Sequence, residues 1–208
     1  EVDGLCLSVN GVPDHSIVRD VSFRVNAGEI VGIVGESGSG KTMVARSLMG
    51  LQPPAITISG GDIRFEGRSV PAMTGKELRA LRGARLGMVF QEPMTSLNPS
   101  MTIGEQLDEP LKLHAQLDAN ARRARILDIL LRVGIRDAQG ALSAFPHQFS
   151  GGMRQRIMLA SAMLLKPALL IADEPTTALD ALVQREVLEL MLEMVRGENT
   201  ALLMISHD

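Results

Sequence analysis

A single cysteine, Cys6, and no tryptophan or tyrosine stand in this 208-residue chain. One thiol excludes an internal disulfide and a cysteine-based metal site, so Cys6 is expected as a small buried hydrophobe. Cysteine usage of this kind points to a reducing compartment. Five phenylalanines are the only aromatics, which argues against base-stacking platforms and aromatic-rich binding faces. An excess of positive charge is also missing: 21 Lys and Arg against 24 Asp and Glu leave a net −3. No global positive field therefore recruits nucleic acid. No apolar run approaches the ~20 residues needed to span a bilayer. Neither a signal peptide nor an initiating Met opens the chain, which reads as a fragment of a longer polypeptide.

What is present suits a buried core: 45% of residues are hydrophobic and 22% charged, as in one globular domain or one domain with an inserted lobe. Leu5, Leu7 and Val9, then Val18, Val21, Phe23 and Val25, alternate with polar residues as in strands. Three later runs, Ile30 to Val34, Leu169 to Ala172 and Leu202 to Ile205, are nearly all apolar. Such runs predict central parallel strands covered on both faces. Each leads into a polar cluster, and open parallel sheets bind ligands beyond the carboxyl ends of their strands. From about Glu92 to Leu164 the pattern turns helical, with Ile126, Ile129, Leu130 and Val133 opposite Arg122, Arg123 and Arg125. This stretch reads as a helical lobe inserted into an α/β core, its arginines forming a solvated face. A last amphipathic helix carries Leu179, Leu182, Val183, Val187, Leu190, Met191 and Met194.

Gly35-Glu36-Ser37-Gly38-Ser39-Gly40-Lys41-Thr42 follows the first apolar run and precedes a helix-like segment. It fits the Gly-x-x-x-x-Gly-Lys-Ser/Thr phosphate loop. Polyphosphate is dense in negative charge, so such a loop must turn its amides inward, which glycines permit. The following helix presents its positive end to the same anion. Lys41 adds a point charge at the β and γ phosphates, and Thr42 offers a hydroxyl to Mg²⁺. Further on, the run Leu169 to Ala172 ends in Asp173 and Glu174. Downstream of a phosphate loop, Asp173 is expected to hold Mg²⁺ and Glu174 to orient or deprotonate the attacking water. No cluster of His, Cys and acids has metal-ligand spacing, so Mg²⁺ carried with the nucleotide is the only metal implied. His114 reads as a surface residue, and His147 precedes a Ser-Gly-Gly turn, where it would either help shape that loop or serve a structural role.

Phe149-Ser150-Gly151-Gly152-Met153-Arg154-Gln155-Arg156 resembles the signature of ATP-binding-cassette (ABC) ATPases. The order of elements is also similar to that family: phosphate loop, Gln91, signature, Asp173-Glu174, Asp180, then His207. Phe90 to Pro99 and Pro146 to Arg156 look like the peptide/nickel branch, whose members energise dipeptide, oligopeptide or glutathione uptake. The resemblance implies a P-loop NTPase (RecA-like) core over 1–91 and 165–208, with an N-terminal antiparallel β-subdomain. The helical signature lobe would then be 92–164. It implies ATP and Mg²⁺ as ligands and two cassettes closing head-to-tail. Ser150, Gly151 and Gly152 of one cassette would then complete the phosphate site of the other. Gln91 would sense Mg²⁺ and the attacking water, His207 would contact the γ-phosphate, and Asp180 would bridge between subunits. The stretch from Gln91 to Pro99 would dock a membrane-spanning permease subunit fed by an extracytoplasmic solute-binding protein. That places the protein peripherally on the cytoplasmic face of the membrane, away from nucleic acid.

The sequence departs from the family pattern at Phe149 and Met153, where Leu and Gln are usual, and Thr42 stands where this branch often has Ser. All three leave the Ser-Gly-Gly core and the hydroxyl intact. The family's aromatic base-stacking residue falls near Val12, with His15 the local candidate, so base discrimination is expected to be weak. A soluble ABC ATPase of DNA repair or translation is the alternative. It is disfavoured by the short span between Gly35 and Ser150 and by the absence of a second cassette. A non-hydrolysing regulatory module is disfavoured because Lys41, Asp173, Glu174 and His207 are all present. A GTPase would need an Asn/Thr-Lys-x-Asp base-reading motif, and the sequence has none.

Overall fold

Alternating apolar positions in the first third of the chain close into an antiparallel sheet. The computed structural model describes residues 1–12, 16–90, 96–176 and 179–207. Within them, β1 (Val2–Val9) is flanked by β2 (Ser16–Phe23) and by a later strand, β4 (Ile56–Phe65). Leu7 faces Val18 on one side and Ile58 on the other. The short β5 (Arg68–Ser69) completes the order β2-β1-β4-β5. Leu5, Leu7, Val18 and Ile63 are buried beneath this sheet. Cys6 is half-buried rather than fully enclosed, and its sulfur accepts the Asp20 amide at 3.3 Å. The β1 residues on either side of it, Leu5 and Leu7, take the core side instead, as a two-residue period requires.

The second sheet is parallel, in the order β3-β8-β7-β6, where β3 is Ile30–Val34, β6 Leu86–Val89, β7 Leu169–Asp173 and β8 Ala201–Ser206. Strands β7 and β8 match the expectation of full cover, with Leu170, Ile171, Ala172, Leu202, Leu203 and Ile205 buried. Strand β3 does not. It pairs with β8 alone among the described residues, and Ile30 and Val34 are 39% and 69% exposed. An apolar run fixes that a strand forms, whereas its place in a sheet is set by partners far along the chain.

Helices cover both faces. Helix α1 (Lys41–Leu48) follows β3 and buries Val44, Ala45 and Leu48 in a core shared with the antiparallel sheet. Helix α2 (Gly75–Leu81) starts at a Thr74–Glu77 capping box and precedes β6. Between β6 and β7 the described residues carry helices only: α3 (Ile103–His114), α4 (Ala119–Arg132), α5 (Ala138–Ala141), a 3₁₀ turn (Pro146–Gln148) and α6 (Gly151–Met163). Their apolar faces form a second core with one face of the parallel sheet and with α7 (Ala181–Gly197). Of the arginines on α4, Arg123 is exposed as expected and Arg122 is not. Arg122 is 17% exposed, pairing with Asp108 at 2.6 Å and donating to the Leu117 carbonyl. No helix of the described residues is long and apolar enough to cross a membrane.

Candidate functional site

The carboxyl ends of β3, β7 and β8 open onto one cleft of about 450 Å³. The phosphate loop forms one wall. Gly40 stands at the N-cap of α1 with φ 91°, and a Cβ there would meet Val18 Cγ2 at 2.9 Å and the Ile17 carbonyl oxygen at 3.1 Å. Both the left-handed backbone and the close approach therefore demand glycine. Lys41, only 8% exposed, folds back over the loop and donates to the carbonyls of Gly35 at 2.6 Å and Glu36 at 2.8 Å. Gly35 to Ser39 thus present a turn tied to a cation, at the positive end of α1.

Two adjacent acids end β7, of which Glu174 lines the cleft and Asp173 is buried behind it. Thr42 Oγ1 donates to Asp173 Oδ1 at 3.1 Å. Asp173 is 2% exposed, and this burial raises its carboxyl above the ordinary range, against the Thr42 bond and helped by the nearby Glu174 charge. Glu174 has φ 45°, and its amide donates to the Ile205 carbonyl at 3.0 Å. That conformation turns its carboxylate to within 3.1 Å of His207 Nδ1. Ser37, Gly38, Gly40, Lys41, Thr42, Glu174 and His207 line the cleft together.

A hydroxyl and a carboxylate in contact form a hard-oxygen pair of the kind Mg²⁺ takes alongside water. A buried ammonium beside a glycine turn and a helix N-terminus suits a polyphosphate. The residues present therefore fit a magnesium nucleotide, with Thr42 and Asp173 on the metal side. Among the described residues, no group of three or more His, Cys, Asp and Glu could hold another metal ion.

Ser150, Gly151, Gly152 and Asp180 are not in this cleft. Ser150 caps α6, accepting the Met153 amide at 3.3 Å, and Asp180 caps α7, accepting the Val183 amide at 3.1 Å. The two helix starts pack on each other: a Cβ on Gly152 would lie 2.6 Å from Val183 Cγ1. The structure thus divides the sequence-predicted residues between two places, a phosphate cleft and a signature corner. Gln91 and His15 lie outside the described residues. Val12 is 48% exposed. Sequence reasoning missed Ile17 and Met43, apolar residues that line the cleft, because nothing in their local pattern separates them from core. It also missed Gln155, a fully buried amide on α6 whose only local sign is a polar residue ahead of an apolar run.

Residues 18–177 match the ABC transporter family. The chain is 47% identical over 192 residues to the dipeptide transport ATP-binding protein DppD of Bacillus subtilis, an alignment covering 92% of this chain and 57% of that protein. It is 49% identical over 191 residues to the oligopeptide transport ATP-binding protein OppD of Haemophilus influenzae, covering 92% and 59%. The chain thus spans somewhat over half the length of these curated relatives. Among solved structures, the ATP-binding cassette MJ0796, captured as a dimer in a post-hydrolysis state with ADP and Pi, superposes with a TM-score of 0.83. That match has 25% identity and covers 100% of this chain and 87% of that one.

Proposed function

The chain belongs to the ABC transporter family, and from that premise we propose that it is the ATP-binding and ATP-hydrolysing subunit of an importer of dipeptides or oligopeptides. One observation carries the reading: Lys41, Thr42, Glu174 and His207, drawn from three strand ends, line one cleft, with the buried Asp173 bonded to Thr42 behind it. The transport names of the relatives, at nearly half identity over most of the chain, support the substrate class and disfavour a soluble repair or translation ATPase.

Hydrolysis at a phosphoryl centre rests on positioning and charge stabilisation. Lys41, released from the Gly35 and Glu36 carbonyls, meets the β and γ phosphates, while the loop from Gly35 to Thr42 binds the chain of phosphates. Thr42 and Asp173 would hold Mg²⁺, which would supply charge neutralisation when bound. Glu174 orients the attacking water and takes its proton, and His207, beside it, contacts the γ-phosphate. Gln91 would sense Mg²⁺ and the attacking water. Ser150, Gly151 and Gly152, with Asp180, seal the site of a second cassette. The helix start at Ser150 offers its amides and dipole to that cassette's γ-phosphate. Closure of the pair on ATP and reopening after hydrolysis drive membrane-spanning permease subunits, to which a solute-binding protein delivers cargo. The protein then sits peripherally on the cytoplasmic face of the membrane.

Two substitutions test this in the full chain assembled with its membrane subunits. Lys41→Ala is expected to abolish ATP binding. Glu174→Gln is expected to keep binding, cut turnover by at least about a hundredfold and accumulate a closed dimer on gel filtration with ATP. Equal turnover by wild type and Glu174→Gln would remove Glu174 from the mechanism.

A further inference from the structure

Gln155 is buried to 1% exposure on α6, one turn beyond the Ser150 cap. Its Nε2 donates to the Pro175 carbonyl, and its Oε1 has no hydrogen-bond partner among the described residues. A half-satisfied buried amide costs free energy that an apolar side chain of equal size would not. Packing therefore does not account for it, which leaves the bond it makes.

That bond falls on the residue after Glu174. With φ 45°, Glu174 occupies a region that non-glycine residues rarely adopt, and a following proline narrows its choices further. Such conformations persist only where the surroundings fix them from several sides. One side is the Glu174 amide, donating to the Ile205 carbonyl of β8 at 3.0 Å. Another is the Pro175 carbonyl, the only backbone hydrogen-bonding group proline has, and Gln155 donates to it. This turn carries the Glu174 carboxylate that lies 3.1 Å from His207 Nδ1.

Building on the ATPase reading, we propose that Gln155 is a positioning residue for Glu174. Its amide clamps the Pro175 turn and ties the helix that begins at the signature to the carboxylate that orients water. Tilting α6 against the parallel sheet then changes the aim of Glu174 within the same chain.

The test compares wild type with Gln155→Met, which keeps the length but lacks the donor, and Gln155→Glu, which keeps the shape and replaces donor by acceptor. In the full assembly, both are expected to lower kcat about tenfold or more with KM for ATP within about twofold. In nucleotide-free protein, hydrogen exchange of the peptide covering 172–176 is expected to speed up about tenfold. Gln155→Met is expected to stay folded but to melt below wild type, since it removes the unpaired oxygen yet leaves the buried Pro175 carbonyl without its donor. Retained kcat in either variant, a matching rise in KM, or unchanged exchange overturns the proposal. So does failure of Gln155→Met to fold, which would make the amide a general support of the fold. If wild type itself does not turn over ATP, the functional reading fails instead, and the exchange comparison alone decides the clamp.

Discussion

Gly152 shows how one side chain can be excluded by its own chain before any partner is considered. Its missing Cβ leaves room for Val183 Cγ1, which would otherwise sit 2.6 Å away. Gly151 is less confined, since its Cβ would meet Leu179 Cδ2 at an ordinary 3.6 Å. The colliding atom is a methyl on α7, so the clash is relieved by trimming valine. Gly152→Ala is expected to destabilise the protein by about 1–3 kcal/mol through overpacking. Gly152→Ala with Val183→Ala is expected to be less destabilised than the two single changes added together. Thermal or urea melts of the four proteins in a double-mutant cycle measure that coupling, and strict additivity would show that the Ser-Gly-Gly turn does not rest on α7.

At the scale of elements, the end of α7 is held to the helical lobe by charge. Glu198, at the C-cap of α7, meets Lys166 beyond α6 at 2.8 Å and Arg132 at the end of α4 at 2.9 Å. Its side chain is 14% exposed, and the Lys166 bond first, then Arg132, holds its carboxyl below the ordinary range. A depressed carboxylate contributes stability that is present above the unfolded value, near 4.3, and lost as pH falls through the folded value. Glu198→Gln is therefore expected to cost about 1 kcal/mol at pH 7. That gap should close as pH drops below about 4, read as the difference between two melting curves at each pH. A gap that is constant with pH would assign the loss to packing. This junction was not legible beforehand, because three helices must be folded before their ends can meet. The phosphate loop was legible, since strand, glycines, Lys41 and helix are contiguous and the chemistry fixes their order. Strands β7 and β8 were legible in both position and cover, whereas β3 was legible only as a strand: Ile30–Val34 says nothing of which neighbours it receives. Gln155 stayed hidden for the same reason, since its partner Pro175 is remote in sequence and becomes a neighbour only when α6 lies against the end of β7.

On the scale of the whole molecule, the sequence-predicted site residues fall into two separate groups. The cleft gathers Lys41, Thr42, Glu174 and His207, while Ser150, Gly151 and Gly152 stand elsewhere, on the start of α6. If each catalytic site joins the cleft of one cassette to the signature of another, defects placed in the two regions must complement. A head-to-tail pair of a Lys41→Ala chain and a Gly152→Asp chain has one site in which both halves are damaged and one in which both are intact. If each chain instead completes its own site, every site in the mixture keeps one defect. Lys41→Ala and Gly152→Asp proteins are each expected to be inactive. After co-expression with the membrane subunits, the mixture is expected to regain ATP turnover well above the sum of the two, in proportion to the mixed pairs formed. Turnover no greater than that sum, with mixed pairs shown by differential tagging, would mean that the Ser-Gly-Gly turn serves no neighbouring cleft. The separation between the two groups would then be a property of the resting fold alone.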